Sequence, residues 1–324
     1  MDDLTLILLD SNRHELGRSF AVSDFEVGVG SAANDFEIRL HEGEADSGGV
    51  YIPGTEWGGL IEKTTLVSGE DTILAEGYTW RGLLSKAIIE PPAGEDYLVV
   101  SGEANNIIRT VMNGKLGDLF VVSDEDSGLT LTASYQFNRY CTVLDGLIDL
   151  LYSNDYRLDI RAFKSTPGSA VKVMLKAVRS QRINGTFNED NRLKMTFVND
   201  NMGINHLIVL GKGDLRERYV AHLYVNQNGS IGTTQYYTGV KERVATYENT
   251  SYEDEWALVG EAVKRFREIM SSSNLDLSSV TAEMEIGDVV TASYGSQVIV
   301  TEVSKKILKT EGGISNIEYS VEEI

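Results

Sequence analysis

The sequence predicts an α+β protein that is predominantly β, with a β unit at each end and a smaller α/β unit between them. Short runs of alternating apolar and polar residues fill the two ends, whereas helical patterns lie in between. Pro91-Pro92 separates the first β unit from the middle of a chain that has only 4 prolines. A chain of 324 residues exceeds the usual domain size of ~150 residues, so we expect two or three units.

The first 92 residues contain repeated strand patterns. Residues 4–9 form an apolar run, and residues 36–40 alternate between apolar and charged side chains. Residues 60–67 and 72–78 predict a strand pair joined around a turn at 68–71. Many short strands at this spacing are typical of a small barrel or sandwich.

The middle of the chain combines helices and strands. Ser101 is placed to cap a helix, and Thr142 with Asp145 fits the capping box of a second helix. Residues 156–163 and 171–175 then predict strands. The apolar positions that define the two helical faces are Ile107, Ile108, Val111 and Met112, and Leu144, Leu147, Ile148 and Leu151.

Strand patterns return at 206–211 and 220–225, and one strong helix follows them. Ser251 and Asp254 fit a capping box at its start. A stripe at spacings of three and four predicts a helix face that packs on a sheet, formed by Trp256, Val259, Val263, Phe266 and Met270.

The last segment predicts an antiparallel meander. Its strands fall at 288–292, 297–306 and 315–321, and turns at 294–296 and 311–313 separate them.

The chain is strongly acidic, with 49 Asp and Glu against 29 Lys and Arg and a formal net charge of −20. Non-specific nucleic-acid binding depends on Lys and Arg, so this charge excludes it as a function class, and it disfavours anionic membrane surfaces too. One interpretation of the charge is solubility. The alternative is a surface past which an anionic polymer slides without binding.

The single cysteine, Cys141, excludes an intrachain disulfide and a multi-cysteine metal site. The acidic start at Met1-Asp2-Asp3 does not fit a signal peptide, and no apolar run of about 18 residues occurs. We therefore expect a protein made in a cytoplasm, without secretion or membrane insertion.

The histidines and the cysteine, residue types that are common in active sites and metal sites, fit no catalytic or metal-binding motif. The four histidines form no HExxH motif, and His206 and His222 lie in predicted strands, where a structural role is the usual one. Cys141 precedes a capped helix whose N-terminus could lower its pKa, although a lone cysteine is more often a small buried apolar residue. We therefore predict no catalytic, cofactor-binding or metal-binding residue.

Three other patterns resemble sites only in part. The acidic run at 124–128 lacks the glycine and glutamate positions of a calcium loop, so it predicts a solvated turn. The glycines at 28–30 and 211–213 complete no nucleotide-binding motif and predict turns. Tryptophans occur at 57, 80 and 256, but no carboxylate pair is singled out beside them.

Short motifs in a fixed order carry the most specific information. They are Asn34–Leu40 with Gly58–Lys63, then Glu76–Leu84 with Ala87–Ile89 before Pro91-Pro92, and last Ile286–Ala292 with Val300–Ile307 and Glu318–Val321. In this order, over nearly the whole chain, the sequence resembles the Gp37-like family of siphophage and prophage tail proteins, which is related to phage baseplate hub (tail-associated) proteins.

The resemblance implies two small antiparallel β-barrels of the tail-hub or tube type plus a smaller α/β domain. The first barrel would span 1–92 and the α/β domain 93–202 plus 247–280, and the second barrel would span 203–246 plus 281–324. Three subunits, each giving two barrels, would form a ring that continues the tail tube. The acidic charge would then suit a channel that DNA traverses without specific binding.

The resemblance also implies a structural function in the virion tail, with no enzyme activity and no cofactor. The chain would be a baseplate hub protein of a phage or prophage tail tip, whose homotrimeric ring closes or opens the DNA channel. Its implied partners are a distal tail protein or tail tube ring, the tape-measure protein and a host cell-surface component. The alternative is a tail-tip protein that binds or degrades cell-wall carbohydrate, which predicts an aromatic-lined cleft with two facing carboxylates.

Overall fold

The computed structural model is mostly β, with 45% of the chain in strands and 18% in helices, as the sequence predicts. It describes residues 4–30, 34–69, 71–184, 193–199, 203–226, 230–251, 254–270, 273–279, 284–294, 297–311 and 314–323.

The chain divides into two compact units. Unit 1 contains residues 1–195 and 276–324, and unit 2 contains residues 196–275. Strands β14 (Leu193–Asn199) and β19 (Ser273–Ser279) each include one boundary between the units.

The large sheet of unit 1 joins strands from both ends of the chain. Along the sheet the order is β2, β1, β5, β6, β7, β4, β3, β21 and β22, and β20 pairs with both β21 and β13. The strands are β1 (Leu6–Leu9), β2 (Glu15–Ser19), β3 (Val22–Gly28), β4 (Asp35–His41), β5 (Gly49–Tyr51), β6 (Gly58–Leu66), β7 (Thr72–Thr79), β13 (Arg182–Asn184), β20 (Val289–Tyr294), β21 (Gln297–Glu311) and β22 (Ile314–Glu323).

The large sheet curls because a two-residue connection joins distant strands of its order. Only Phe20 and Ala21 lie between β2 and β3, yet five strands separate β2 from β3 in the sheet. Six strand spacings of ~4.8 Å would hold them ~29 Å apart in a flat sheet. The chain from Ser19 to Val22 reaches only ~11 Å. The result is a curled, half-barrel sheet, and the two small antiparallel β-barrels stay a prediction.

Alternation of side chains fixes which face of the sheet is buried. Along β4 every second residue is buried, which places Phe36, Ile38 and Leu40 in the core. This confirms the predicted strand at 36–40, and β6 and β7 likewise confirm the predicted strand pair at 60–67 and 72–78.

Unit 1 also holds the α/β elements that follow Pro91-Pro92. A parallel pairing joins β9 to β12, and antiparallel pairings join β12 to β11 and β8 to β10. These elements are α1 (Trp80–Leu84), β8 (Val99–Glu103), α2 (Ala104–Met112), β9 (Phe120–Val122), β10 (Thr130–Gln136), α3 (Val143–Tyr152), β11 (Tyr156–Phe163) and β12 (Lys172–Arg179).

The helix starts agree with the sequence in one case and differ in another. Thr142 caps α3, since its hydroxyl accepts the Asp145 N–H at 3.0 Å, as predicted. Ser101 does not cap α2, because β8 continues through it and the Glu103 carboxylate accepts the N–H groups of Asn105 and Asn106 instead. A longer acceptor two residues later therefore sets where α2 begins.

One apolar core spans Pro91-Pro92. Leu9, Tyr51 and Trp80 from the N-terminal strands and α1 pack in the same cluster as Leu144 of α3 and Leu175 of β12. The proline pair is therefore a surface connection within unit 1.

Unit 2 consists of a four-stranded sheet and one long helix. The sheet order is β17, β16, β15 and β18, with β15 parallel to β18 and antiparallel to β16. Its elements are β15 (His206–Leu210), β16 (Val220–Val225), β17 (Ile231–Gly232), β18 (Val244–Glu248) and α4 (Glu255–Ile269).

Helix α4 packs on one face of this sheet, as predicted, and four of the five residues of the predicted stripe take part. Phe266 is buried, and Val259, Val263 and Met270 pack against the same cluster. Leu258, Ala262 and Phe266 are buried in a cluster with Leu207 and Leu223 of the sheet. Trp256 was predicted in the buried stripe, and this was wrong, since its side chain is 83% exposed.

The cap of α4 also differs from the prediction. Asp254 was predicted as the third helical residue after a Ser251 cap, but Asp254 is itself the cap and accepts the Trp256 N–H. Helix α4 therefore begins at Glu255.

These contacts group the chain differently from the three-part division predicted from the sequence. Helix α4, assigned there to the α/β domain, shares a core with the strands of 203–246. The strands of 281–324, assigned with 203–246 to a second barrel, pair with β3 of the first barrel segment. The predicted boundaries at 202 and 280, and parts of the turns at 294–296 and 311–313, lie outside the described residues. As a division into barrel-forming parts, the three-part scheme stays a prediction.

Candidate functional site

A buried cluster of eight charged side chains, here called the charged junction, lies where three remote parts of unit 1 meet. It contains four carboxylates and four cations, so the charges balance. The members are Glu56, Arg81, Arg157, Asp159, Arg161, Glu285, Asp288 and Lys306.

Lys306 of β21 is the centre of one half of the charged junction. Its ammonium lies 3.3 Å from Glu56 and 2.6 Å from Glu285, and it also stands 5.0 Å from the centre of the Trp57 ring. Glu56 pairs in turn with Arg81 of α1 at 2.9 Å. Lys306, Glu56 and Arg81 are each at most 5% exposed, so these charges depend on one another for solvation.

The other half is built on β11. Arg157 lies 3.0 Å from both Asp159 and Asp288, and Arg161 lies 2.9 Å from Asp159 and 2.7 Å from Glu285. Asp288 also accepts the backbone N–H groups of Gln181 and Glu285. The β11 arginines therefore attach the segment before β20 to the α/β elements.

The pairing favours the charged forms of Glu285 and Lys306. Burial alone would favour the neutral acid, but Lys306 and Arg161 lower the pKa of Glu285 to about 2. Burial also opposes the charge of Lys306, yet Glu285 and Glu56 raise its pKa above the ordinary value. Because a buried pair that loses one member leaves an unsolvated charge, the charged junction commits all three segments to one arrangement.

Glycines next to the junction allow backbones to approach closely. A Cβ on Gly77 would lie 1.9 Å from the Leu60 carbonyl oxygen, and one on Gly82 would lie 2.1 Å from that of Asn34. The Asn34 carbonyl accepts the Thr79 N–H at 3.1 Å. These glycines belong to the ordered sequence motifs, so the motifs encode packing in this region.

A second feature is a row of carboxylates on the exposed face of the large sheet. Asp24 of β3 lies directly opposite Glu37 of β4, which lies opposite Glu76 of β7. Lys309 stands opposite Asp24 and Lys63 pairs with Glu76, so the row carries a lysine at each end. Like charges placed opposite each other on neighbouring strands are destabilising.

Two further acids, Glu26 and Asp35, extend this row into an acidic face. Burial raises the pKa of Asp24, and the negative charges of Glu26 and Asp35 add to the shift, although Lys309 opposes it. Burial and the charge of Glu26 likewise raise the pKa of Asp35. The acidic face, Asp24, Glu26, Asp35, Glu37 and Glu76, therefore concentrates negative charge at a local cost in stability.

In unit 2 the structure brings together two histidines that no sequence motif connects. His206 Nδ1 lies 2.7 Å from Glu242 Oε1, and His206 Nε2 lies 2.8 Å from His222 Nδ1. Since the carboxylate only accepts, His206 donates from Nδ1 to Glu242. A second hydrogen bond joins Nε2 of His206 to Nδ1 of His222. His206 also stacks on Tyr224 at 4.3 Å. The contacts match a structural role for His206.

The remaining candidate residues take separate positions. Cys141 is half-buried, and burial raises the pKa of its thiol, with Asp149 and Asp145 adding to the shift, so the start of α3 does not lower this pKa. Trp57 and Trp80 are buried in the cores of unit 1.

Two searches of the described residues bear on other classes of site. Among these residues, no group of three or more His, Cys, Asp or Glu side chains is placed to hold a metal ion. Within the same residues, helices of the length and apolar character needed to cross a bilayer are absent.

Comparison with known proteins gives similarity in structure but not in sequence. No family model matches the chain, and no curated protein matches it in sequence. Solved structures do match along almost the whole chain. The 43 kDa tail protein of prophage MuSo2 from Shewanella oneidensis is 10% identical, with a TM-score of 0.53 and coverage of 98% of both chains.

Two further structures match over a similar length. The tail protein from Neisseria meningitidis MC58 is 11% identical, with a TM-score of 0.50 and coverage of 98% of this chain and 96% of that one. The prophage tail protein gp18 from Listeria monocytogenes EGD-e is 14% identical, with a TM-score of 0.48 and coverage of 98% and 94%. This chain has the fold of the tail proteins from Shewanella oneidensis and Neisseria meningitidis.

Proposed function

We propose that this protein is a structural component of a phage or prophage tail tip, a baseplate hub protein. In this proposal its copies form a trimeric ring that continues the tail tube and closes or opens the DNA channel. The observation that carries the proposal is a shared fold over 98% of this chain with two tail proteins, from Shewanella oneidensis and Neisseria meningitidis.

The curled sheet suits a ring built from barrel-like parts. Its curl is enforced by the two-residue connection at Phe20 and Ala21, and the charged junction keeps the β ends fixed on the α/β elements. A tube component needs such a fixed shape, because neighbouring rings must match it. The proposed partners are copies of the same chain, a distal tail protein or tail tube ring, the tape-measure protein and a host cell-surface component.

The acidic face is the proposed lining of the channel. Asp24, Glu37 and Glu76 form a row across three adjacent strands, which local stability does not favour. A surface of this charge repels DNA phosphates, so DNA would pass without binding. The proposed role is structural rather than enzymatic, and the protein would act in the virion tail after synthesis in the host cytoplasm.

Electron cryomicroscopy of tail particles from the phage that encodes this chain tests the proposal. We expect three copies in one ring at the tail tip, with the acidic face towards the channel. Particles that lack the chain, or a ring with another number of copies, would overturn the hub assignment. A ring in which Asp24 and Glu37 face outwards would overturn only the assignment of the channel lining.

A charge-removal variant tests the channel lining independently. Asp24→Asn, Asp35→Asn and Glu37→Gln together remove three carboxylates while preserving side-chain size. We expect normal tails in which DNA ejection is slower, because a less acidic channel holds DNA phosphates longer. The matched control is Glu95→Gln with Asp96→Asn in the exposed connection after Pro91-Pro92, which should leave the ejection rate unchanged.

A further inference from the structure

One end of the curled sheet carries exposed apolar side chains, here called the apolar rim. Phe20 is 79% exposed, Leu66 71% and Ile314 75%, and Val22 and Val67 are exposed beside them. Large apolar side chains at this exposure lose the stabilisation that burial would give, so their concentration at one end of the sheet requires an explanation.

The strand registers place Val22, Leu66, Val67 and Ile314 at the same end, and Phe20 joins them through its connection to Val22. Val22 starts β3 opposite Arg39, near the end of β4, and Leu66 ends β6 opposite Ile73, near the start of β7. Ile314 starts β22 opposite the last residue of β21, and Phe20 lies only two residues before Val22. The residues therefore occupy the strand connections of one edge.

The curl of the sheet gathers these connections into one surface. Phe20 and Val22 belong to the corner that brings β2 back to β3, and the Ala21 carbonyl accepts a hydrogen bond from Thr310 of β21 at 3.2 Å. Thr310 is the second-last residue of β21, and Ile314 is the first residue of the next strand, β22. Ser19, at the same corner, donates to Glu44 at 2.8 Å, next to the end of β4.

Acidic groups surround the apolar rim. The charged side chains of these strand ends include four carboxylates, which are Glu42, Glu44, Asp71 and Glu311, and two cations, which are Arg39 and Lys309. Beside Val22 an open depression of ≈170 Å³ is lined by Asp24, Glu37 and Glu311 together with those two cations. The rim therefore combines apolar contact area with a net negative border.

We infer that the apolar rim is the docking surface for a second, different protein of the tail, whose facing surface carries apolar side chains bordered by Lys and Arg. This inference rests on the proposed function, and it names the chemistry of one neighbouring ring.

Charge complementarity selects this partner over other occupants. A second copy docked rim to rim would set acid against acid, which costs affinity and specificity. An anionic membrane surface is repelled by the same carboxylates. A basic border matches them, and the depression beside Val22 offers the Glu311 carboxylate to one basic side chain.

The first arm of the test measures incorporation into tail particles. The variant Phe20→Ser, Leu66→Ser, Ile314→Ser removes the largest exposed apolar groups. We expect it to melt like the wild type and to enter tail particles about tenfold less, since apolar anchors carry most interface energy. Tyr140→Ser is the matched control, because Tyr140 is a similarly exposed residue of unit 1 in the turn before α3.

The second arm identifies the contact directly and does not depend on how the triple variant folds. A photo-crosslinking amino acid at Leu66 should join the chain to a different tail protein, through a peptide that contains apolar residues next to Lys or Arg. The same amino acid at Tyr140 should give no such product.

The outcomes separate the two proposals. If the wild-type chain is missing from purified tail particles, the hub assignment fails and the docking inference fails with it. If the chain is present, the docking inference alone fails when the rim variant incorporates normally, when Leu66 crosslinks only to another copy, or when it gives no crosslink.

Discussion

Unit 1 and unit 2 hold themselves together by different means. Unit 1 draws its elements from both ends of the chain and buries the charged junction where they meet. Unit 2 comes from the continuous segment 196–275, and α4 covers one sheet face through Leu258, Ala262 and Phe266. Among its described residues, ion pairs such as Arg218 with Glu248 lie at the surface.

This difference shows how connectivity selects the stabilising interaction. Apolar packing tolerates small shifts and alternative contacts, so it suffices where the chain itself keeps the elements close. Segments separated by 250 residues, such as those of Glu56 and Lys306, gain specificity from buried charges that accept only one set of partners. We therefore expect unit 1 to respond to charge changes and unit 2 to respond to changes in apolar volume.

The largest effect is expected for Lys306→Met. Glu56 and Glu285 would stay buried without their shared cation, which should lower the free energy of unfolding by about 4 kcal/mol. Lys305→Met is the matched control, since Lys305 is half-exposed and pairs with Glu26 at 2.8 Å, so the change should cost less than about 1 kcal/mol.

Chemical denaturation monitored by tryptophan fluorescence measures both variants. Adding Glu56→Gln to Lys306→Met should recover part of the loss, because it removes one of the two carboxylates that lose Lys306 as a partner. Equal effects of Lys306→Met and Lys305→Met would show that the junction is not the critical contact of unit 1.

The second effect tests unit 2. Phe266→Ala should lower its stability by about 3 kcal/mol through the cavity that it leaves, whereas Trp256→Ala on the same helix should change it little. Hydrogen exchange resolved by peptide should show the loss of protection within 196–275. Loss of protection after Trp256→Ala would contradict the exposed position of Trp256 in this fold.

The third effect is a pH dependence of unit 1. The pKa of Glu285 is about 2 in the folded chain against 4.5 ordinarily, so the folded state binds the proton less readily than the unfolded one. Its contribution is therefore complete above about pH 5 and disappears as the pH falls towards 2, amounting to about 3 kcal/mol. In Glu285→Gln the unfolding free energy should vary less over that range, and an unchanged pH profile would contradict the assignment.

The smallest effect is expected for His206→Leu in unit 2. The variant removes the contacts with Glu242 and His222, and His222 is exposed to water, so the loss should be about 1 kcal/mol. The melting temperature of the variant checks this value. A loss as large as that of Lys306→Met would remove the contrast between the two units.

The sequence predicted elements well where local periodicity decides them. The alternation of Phe36, Ile38 and Leu40 gave β4 and its buried face, and Thr142 gave the start of α3. The stripe of α4 was correct at Phe266 and wrong at Trp256, because the apolar residues of the helix cover more than one face, and spacings of three and four also fit a face that includes Trp256. Only the position of the sheet selects Leu258 and excludes Trp256.

Local sequence patterns could not predict the candidate sites. Glu56, Arg157 and Lys306 meet through tertiary folding alone, and nothing in their immediate sequence marks them as partners. His206 and His222 lie on the same sheet face, but only the register of β15 against β16 brings their rings together. The acidic face required the pairing of β4 with β7, although β5 and β6 lie between these two strands in the chain.

The pairing of β3 with β21 has a consequence for synthesis on the ribosome. Ser23 and Thr310, which share a hydrogen bond, are 287 residues apart, so β3 is translated long before its partner exists. Until then its open edge can pair with other strands, which is a known route to aggregation. Such long-range pairing also slows folding. The nascent chain therefore completes its large sheet only after β21 and β22 have been translated, and these two strands determine when it becomes ready for assembly.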